Sequence, residues 1–469
     1  MASTTPDTGM KKTLTLWNYF TIGFGAIIGT GWLLMVGDWM IEGGGPVAAI
    51  VAFAIGGAIL LPMGAVFGEL TSAIPVAGGI VEYVDRTFGH KASFVTAWFL
   101  ALGNGIICPW ETIAISMLAG EFLPALKTIP LYTVMGITIY LPTLLVGLGA
   151  AILVWYMNHK GAKMAAALQS WMTRILLAGM FMAIVIALFV GSPSHLLPVF
   201  EATDTASGFL PGVLAVLVMT PFFYAGFETI PQAAEEAAQG LDWRKFGQII
   251  VVALGSAALF YVCAIYSFGT LIPWTGFITY PVPALTVMET LGLAIFAKLL
   301  QFAALCGIVS TMNSFFNAST RIMLAMARKG QLPAGFAKLH PEYRTPLWGN
   351  TFLGILTVAG AFVGKALLVP LTNVSSLAFI FACTMVSVAC LKMRYTEPDL
   401  PRPYKVPFGK AGIWAAIVAG LAVLGLLCLP FSPAFLQPIE WAIVAVWLVG
   451  GLVFLSLVSR STARTTVPQ

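Results

Sequence analysis

Residues 23–31 read GFGAIIGTG, four glycines in nine residues, inside a stretch otherwise apolar enough to cross a membrane. Each glycine in a helix interior costs about 1 kcal/mol relative to alanine, so the segment is built to unwind. A half-helix ending near Ile27 leaves carbonyls without partners, and they suit an ammonium group. A half-helix starting after Gly31 leaves amides, which suit a carboxylate. A second interruption is written in MTPFFYAGFETIPQAAEE, residues 219–236. Pro221 removes a backbone donor, Ala225-Gly226 follow, and Glu228 places an acid beside them. Carbonyls around Phe222 and Phe223 would add to those of the first break. A pocket with both poles matches an α-amino acid.

Charged residues within apolar stretches are functional candidates by default. Glu111, after Pro109, and Glu228 could each exchange a proton, and Glu111 could instead pair with a cationic substrate. A structural reading, in which Glu228 accepts from unwound backbone, stands beside these. Arg174 is either a fixed bundle-facing cation or a side chain snorkelling to the interface. Six cysteines and four histidines fall in no metal-ligand spacing, and no nucleophile elbow or phosphate loop is present. No cofactor is implied. Neither a channel filter nor acid rings appear.

The elements that must position these residues are membrane helices. Of 469 residues, 59% are hydrophobic and 9% charged, against roughly 25% charged in a soluble domain. Twelve spans are expected near 14–40, 46–74, 92–119, 130–156, 164–190, 209–234, 246–272, 294–324, 347–364, 368–393, 412–430 and 438–459. The first is too long for a cleavable signal and leads directly into the next. Lys and Arg concentrate in the even-numbered connections and both tails, which predicts a multi-pass protein of the plasma membrane with both termini cytoplasmic. The net charge of +5 is spread over these loops and calls for no nucleic acid. Interruptions at spans 1 and 6 stand at corresponding places of two five-span halves, the pattern of inverted-repeat transporters. The expected organisation is a tail over 1–13, repeats over 14–190 and 209–393, two extra helices over 412–459, and a tail over 460–469.

The motifs IIGTGW (27–32), GELTSAIPVAGGIVEYVDRTFG (68–89), FFYAGFETIPQAAEEA (222–237), STRIMLAMARKGQLPAGFAKLHPEYRTP (319–346) and EPDLPRPYKVP (397–407) occur in order along the chain. Together they resemble the amino acid–polyamine–organocation superfamily, bacterial amino acid permease type. The resemblance implies an all-α fold of five plus five inverted helices and two more, with helices 1 and 6 discontinuous and alternating access around them. It implies that the amides of Gly29, Thr30 and Gly31 bind a substrate carboxylate. Carbonyls of Ala26 or Ile27 and of Phe222 or Phe223 would bind the amine, Gly226 would shape the second break, and Phe222 would gate the site.

A helix 5 cation in sodium-independent relatives makes Arg174 a candidate for that place. Trp32, bulky for its position in the family, faces either the pocket or a neighbouring helix. Glu69, Glu82, Asp85, Glu235 and Glu236 with Arg86, Arg321 and Arg328 form either a cytoplasmic gate or solvated loop charges. The polar residues Asn104, Ser310, Thr311 and Asn313 either touch ligand or bond neighbouring helices. The expected function is amino acid transport, sodium-independent, by proton coupling or exchange. The alternative is a polyamine or simple amine carrier.

Overall fold

The computed structural model describes residues 14–465 apart from 77, 135, 161, 204–205, 233, 235–236 and 281, with backbone alone over 162–170 and 459–465. The expected tail 1–13, Glu235 and Glu236 lie outside the described residues.

Helices come in chain order as α1 (Leu16–Ile27), α2 (Gly31–Leu34), α3 (Val36–Gly43), α4 (Pro46–Ala73), α5 (Gly79–Phe88), α6 (His90–Phe122), α7 (Leu141–Lys160), α8 (Ala162–Val190), α9 (Phe209–Leu217), α10 (Thr220–Tyr224) and α11 (Thr229–Gln232). They continue as α12 (Trp243–Gly269), α13 (Trp274–Phe277), α14 (Pro283–Thr290), α15 (Ala294–Arg328), α16 (Leu347–Gly360), α17 (Leu368–Thr396), α18 (Lys410–Cys428) and α19 (Pro438–Thr465). The strands β1 (Pro130–Val134) and β2 (Ile137–Tyr140) form one antiparallel hairpin before α7.

Local sequence explains the boundaries. Gly44, at φ 65°, ends α3 in the left-handed conformation, and Pro46 opens α4 where a missing N–H costs nothing. The Asp242 side chain caps α12 by accepting from the amides of Arg244 and Lys245.

Among the described residues, nine helices are long and apolar enough to cross a membrane, or ten if the bent pair Leu16–Leu34 and Val36–Gly43 is one span. Three of the twelve expected segments are therefore not continuous spanning helices, the first of them being the bent pair. The sixth is split into α9, α10 and α11. The ninth, α16, has 14 residues, about 21 Å at 1.5 Å per residue, short of the roughly 30 Å hydrocarbon core. The fourth expected span also begins late, because residues 130–134 and 137–140 form the hairpin rather than helix.

The two halves interdigitate. α4 lies along α12, α6 along α15 and α17, and α8 along α15, while α1 sits among α8, α11, α12 and α15. The last helix is held by a reciprocal pair. Trp98 Nε1 donates to the Trp447 carbonyl at 3.0 Å and Trp447 Nε1 to the Trp98 carbonyl at 2.9 Å, with the rings stacked at 4.4 Å.

At the end of the bundle where α4 stops and α6 starts, charges pair differently from expectation. Glu82 and Asp85 both meet Lys329, at 2.8 and 2.6 Å, and Arg86 pairs with Glu397. Glu69 is buried and takes both Nε and Nη2 of Arg394 at 2.6 Å, Arg402 Nε at 3.2 Å and the Val406 amide at 2.8 Å. Arg402 also donates to the carbonyls of Met393 and Glu397 at the end of α17. The segment 397–407 is thus a strap clamping α4 to α17.

Removing one partner of a buried pair strands the other charges, at a cost of about 3–5 kcal/mol. Glu69→Gln is expected to lower the melting temperature of the detergent-purified protein markedly. Arg86→Gln, at an exposed pair, is expected to leave it nearly unchanged. Equal melting of Glu69→Gln and the parent would show that the clamp does not hold the fold.

Candidate substrate site

The helical ladder of α1 closes at Ile28, whose amide reaches the Phe24 carbonyl at 2.9 Å, and resumes where Leu34 and Met35 bond to Thr30 and Gly31. Residues 28–30 between them are not helical. α2 is a single turn of four residues. What it offers is a few amides without intrahelical partners, rather than the macrodipole of a long helix.

In the second segment Pro221 borders a first interruption, between α9 and α10, where Thr220 Oγ1 donates to the Leu217 carbonyl at 2.8 Å, but the wider break comes after it. Pro221 stands in the first turn of α10, and the chain leaves the helix four residues later, at Ala225 (ψ 144°). Gly226 has φ 130°, and a Cβ there would lie 2.5 Å from the Ile27 amide nitrogen. Only glycine allows the two interrupted helices to touch.

Side chains replace the helical bonds that the breaks remove. Thr30 Oγ1 donates to Glu111 Oε2 at 3.0 Å, and Glu111 Oε1 rests against Gly29, 2.6 Å from where its Cβ would stand. Trp32 Nε1 donates to the Gly29 carbonyl at 3.0 Å, its ring edge-on to Phe260 and stacked on Phe268. Trp32 is therefore a packing residue. Tyr261 Oη, from α12, donates to the Ile27 carbonyl at 3.1 Å. The Gly226 amide donates to Glu228 Oε2 at 2.7 Å, the structural role considered for that acid. Ser376 Oγ of α17 accepts from the Phe222 amide at 3.1 Å and donates to the Met219 carbonyl at 3.2 Å.

A small cavity lies at the breaks. Ala26, Ile27, Gly29, Gly31, Phe222, Phe223 and Glu111, all singled out from the sequence, line it. Thr30 and Gly226, also singled out, are not among the lining residues. Glu111, whose depth the sequence left open, belongs to the cavity itself. Phe222 stacks obliquely on Trp110 at 5.3 Å, and Phe223 packs against Gly31. Trp110 spends its N–H on the Leu368 carbonyl and Thr372, both at 3.2 Å, so it shows the cavity only ring carbons.

Arg174 is a correction. It is exposed, its guanidinium 5.5 Å from the Trp171 ring three residues earlier on the same face. An arginine there keeps its charge near water while its stem covers apolar surface. The residue turned inward is Thr173, buried, with Oγ1 3.4 Å from Ser310 Oγ and packed against Gly25. Thr311 Oγ1 reaches the Gly25 carbonyl at 3.4 Å and lines the cavity, whereas Asn313 bonds Asn158 of α7 at 2.9 Å.

Trp110, Tyr261 and Phe315 of the lining were not found from sequence, because aromatic residues in apolar helices carry no spacing signal of their own. Glu228, Asn104 and Gln232 are buried, with the Asn104 side chain within hydrogen-bonding reach of the Glu228 carboxylate.

Two helices interrupted where they touch, around a cavity in a bundle of apolar helices, define a multi-pass membrane transport protein. The chain belongs to the amino acid permease family, whose profile matches residues 14–454. It is 26% identical to the branched-chain amino acid permease BcaP of Bacillus subtilis, across 99% of this chain and 96% of the relative. It is 25% identical to the methylthioribose transporter of the same organism, across 96% and 94%. To the L-asparagine permease of Salmonella typhimurium it is 25% identical, across 92% and 86%. These relatives are transporters, not enzymes.

Gly226→Ala forces a side chain into the α1 backbone. It is expected to reduce uptake to background and lower the melting temperature. Gly149→Ala, with nothing within 4 Å of its added Cβ, serves as the control and should change stability by less than about 0.5 kcal/mol. Normal uptake by Gly226→Ala would remove the close approach of the breaks from the account.

Proposed function

We propose that the protein carries a zwitterionic amino acid across the plasma membrane by alternating access, with both termini cytoplasmic. The observation that carries this reading is that the interruption after α1 and the one after α10 meet in the wall of one cavity, with Ala26, Ile27, Gly29, Gly31, Phe222 and Phe223 lining it. The carboxylate would lie on the amides of Gly29, Thr30 and Gly31, and the amine near the carbonyls of Ala26 and of Phe222 or Phe223. Ile107, Trp110, Phe222 and Phe315 leave an apolar space for the side chain, which favours a neutral residue. Phe222 would cover the bound substrate. The two five-helix repeats are the units taken to move.

Coupling is proposed to protons through Glu111. A substrate carboxylate on Gly29 would stand beside the Glu111 carboxylate, and two carboxylates in contact hold one proton between them. Zwitterion binding therefore draws a proton onto the pair. Arg174 lends nothing to sodium independence, which rests here on the proton route alone. The same Glu111 placement favours a second reading, an amine carrier in which Glu111 is the counter-ion.

A thermal-shift screen of purified protein against amino acids and their decarboxylated amines separates the two, since a ligand of the folded state raises its stability. Stabilisation by zwitterions and not by the matching amines is expected; the reverse outcome installs the amine reading. In proteoliposomes an inward proton gradient should drive uptake by the parent and not by Glu111→Gln, which keeps the Thr30 hydrogen bond but has no proton to release. Uptake driven by a sodium gradient alone would defeat the proton route.

A further inference from the structure

One of the carbonyls expected to receive the substrate amine, that of Ile27, is already occupied. The Ile27 oxygen accepts from Tyr261 Oη at 3.1 Å and from the Gly29 amide at 3.3 Å. A carbonyl oxygen has two lone pairs, so an arriving ammonium finds neither free. Tyr261 Oη is different. A phenol donates one hydrogen and still accepts; its hydrogen is committed to Ile27, and the residue lines the cavity. It therefore presents a lone pair, and no donor, to whatever enters.

Nor can the ring turn away. It is buried, with Phe53 at 5.1 Å, Tyr224 at 5.4 Å and Phe260 at 5.7 Å between centroids. Tyr224 is itself fixed by its hydroxyl, which donates to the Phe53 carbonyl at 2.8 Å. A rigid, acceptor-only oxygen beside the end of α1 is matched to a group that only donates. The Glu111 carboxylate lines the same cavity, adding negative potential for a cation.

The geometry points to Tyr261 as a substrate-positioning residue whose hydroxyl oxygen accepts a hydrogen bond from the substrate's primary ammonium, in place of the Ile27 carbonyl. This rests on the zwitterion reading of the site and sharpens it, because selectivity for an N–H-bearing amine then resides in one side chain of α12.

The test compares the parent and Tyr261→Phe in a binding screen. The probes are the twenty proteinogenic L-amino acids, the carboxylic acids that lack only the α-amino group, and the N-trimethylated betaines of the amino acids that bind. A hydrogen bond to a charged group corresponds to about a tenfold to hundredfold change in affinity. Tyr261→Phe is expected to weaken the bound amino acid by that factor. It should leave any binding of the deaminated acid unchanged, and the betaine should bind the parent no better than the variant. Equal affinity of parent and variant for the amino acid overturns the proposal while leaving the transport reading intact. Equal weakening of amino acid and deaminated acid also overturns it, reducing Tyr261 to a support for α1. Should the parent bind no amino acid, the zwitterion reading itself fails. Phenylalanine keeps the ring and its aromatic neighbours; if the variant nevertheless does not melt cooperatively, the parent decides alone, since a betaine binding as tightly as its amino acid excludes an N–H bond to Tyr261.

Discussion

Backbone polar groups inside a bilayer have no water to turn to, and every feature of this site follows from that constraint. A chain that unwinds at mid-depth exposes amides and carbonyls worth several kcal/mol each if left bare. Here the cost is met residue by residue. Thr30 and Glu111, Trp32 and Gly29, Tyr261 and Ile27, and Gly226 and Glu228 each restore a contact that a regular helix would have made within itself. The helices around α1 and the α9–α11 segment are there to bring those side chains to the gaps. What stays open after this repair is the binding capacity of the site.

The same logic is applied with charge where the bundle meets its connecting loops. Glu69 is buried at the end of α4, and two arginines and one amide converge on it from α17 and the strap that follows. Paired and hydrogen-bonded this fully, the cluster is rigid. Beside it, Lys329 with Glu82 and Asp85, and Arg86 with Glu397, are partly exposed. Exposed pairs cost little to separate. The bundle end therefore combines a fixed joint with contacts that exchange readily.

Much of this was legible in the sequence, and the residues show why. Clustered glycines and an acid in an apolar stretch have few explanations, so both breaks, Glu111 and Glu228 could be read directly. The motif 397–407 was visible as a resemblance, but its pairing with Glu69 spans more than three hundred residues and has no local signal. Arg174 shows a finer limit. Successive helical residues differ by about 100° in direction, so with Thr173 turned inward the charge of Arg174 is carried round to the exposed flank. Tyr261 was hidden for another reason. It sits in an apolar helix where a tyrosine differs from packing phenylalanines by one oxygen, and only the position of Ile27 gives that oxygen a meaning. Segment lengths misled too, since β1 and β2 hold enough apolar residues to be read into the start of the helix that follows.

The brevity of α2 has a thermodynamic side. One turn of four residues closes too few hydrogen bonds to offset the entropy of fixing its dihedrals, so in isolation it would not persist. Here it is shaped by its surroundings: the Trp32 bond behind it and the Phe223 ring against Gly31. A ligand seated on its amides would supply the missing end of the same structure. Recognition and local folding then become one equilibrium, and the affinity measured for any ligand at this place includes the ordering of that turn.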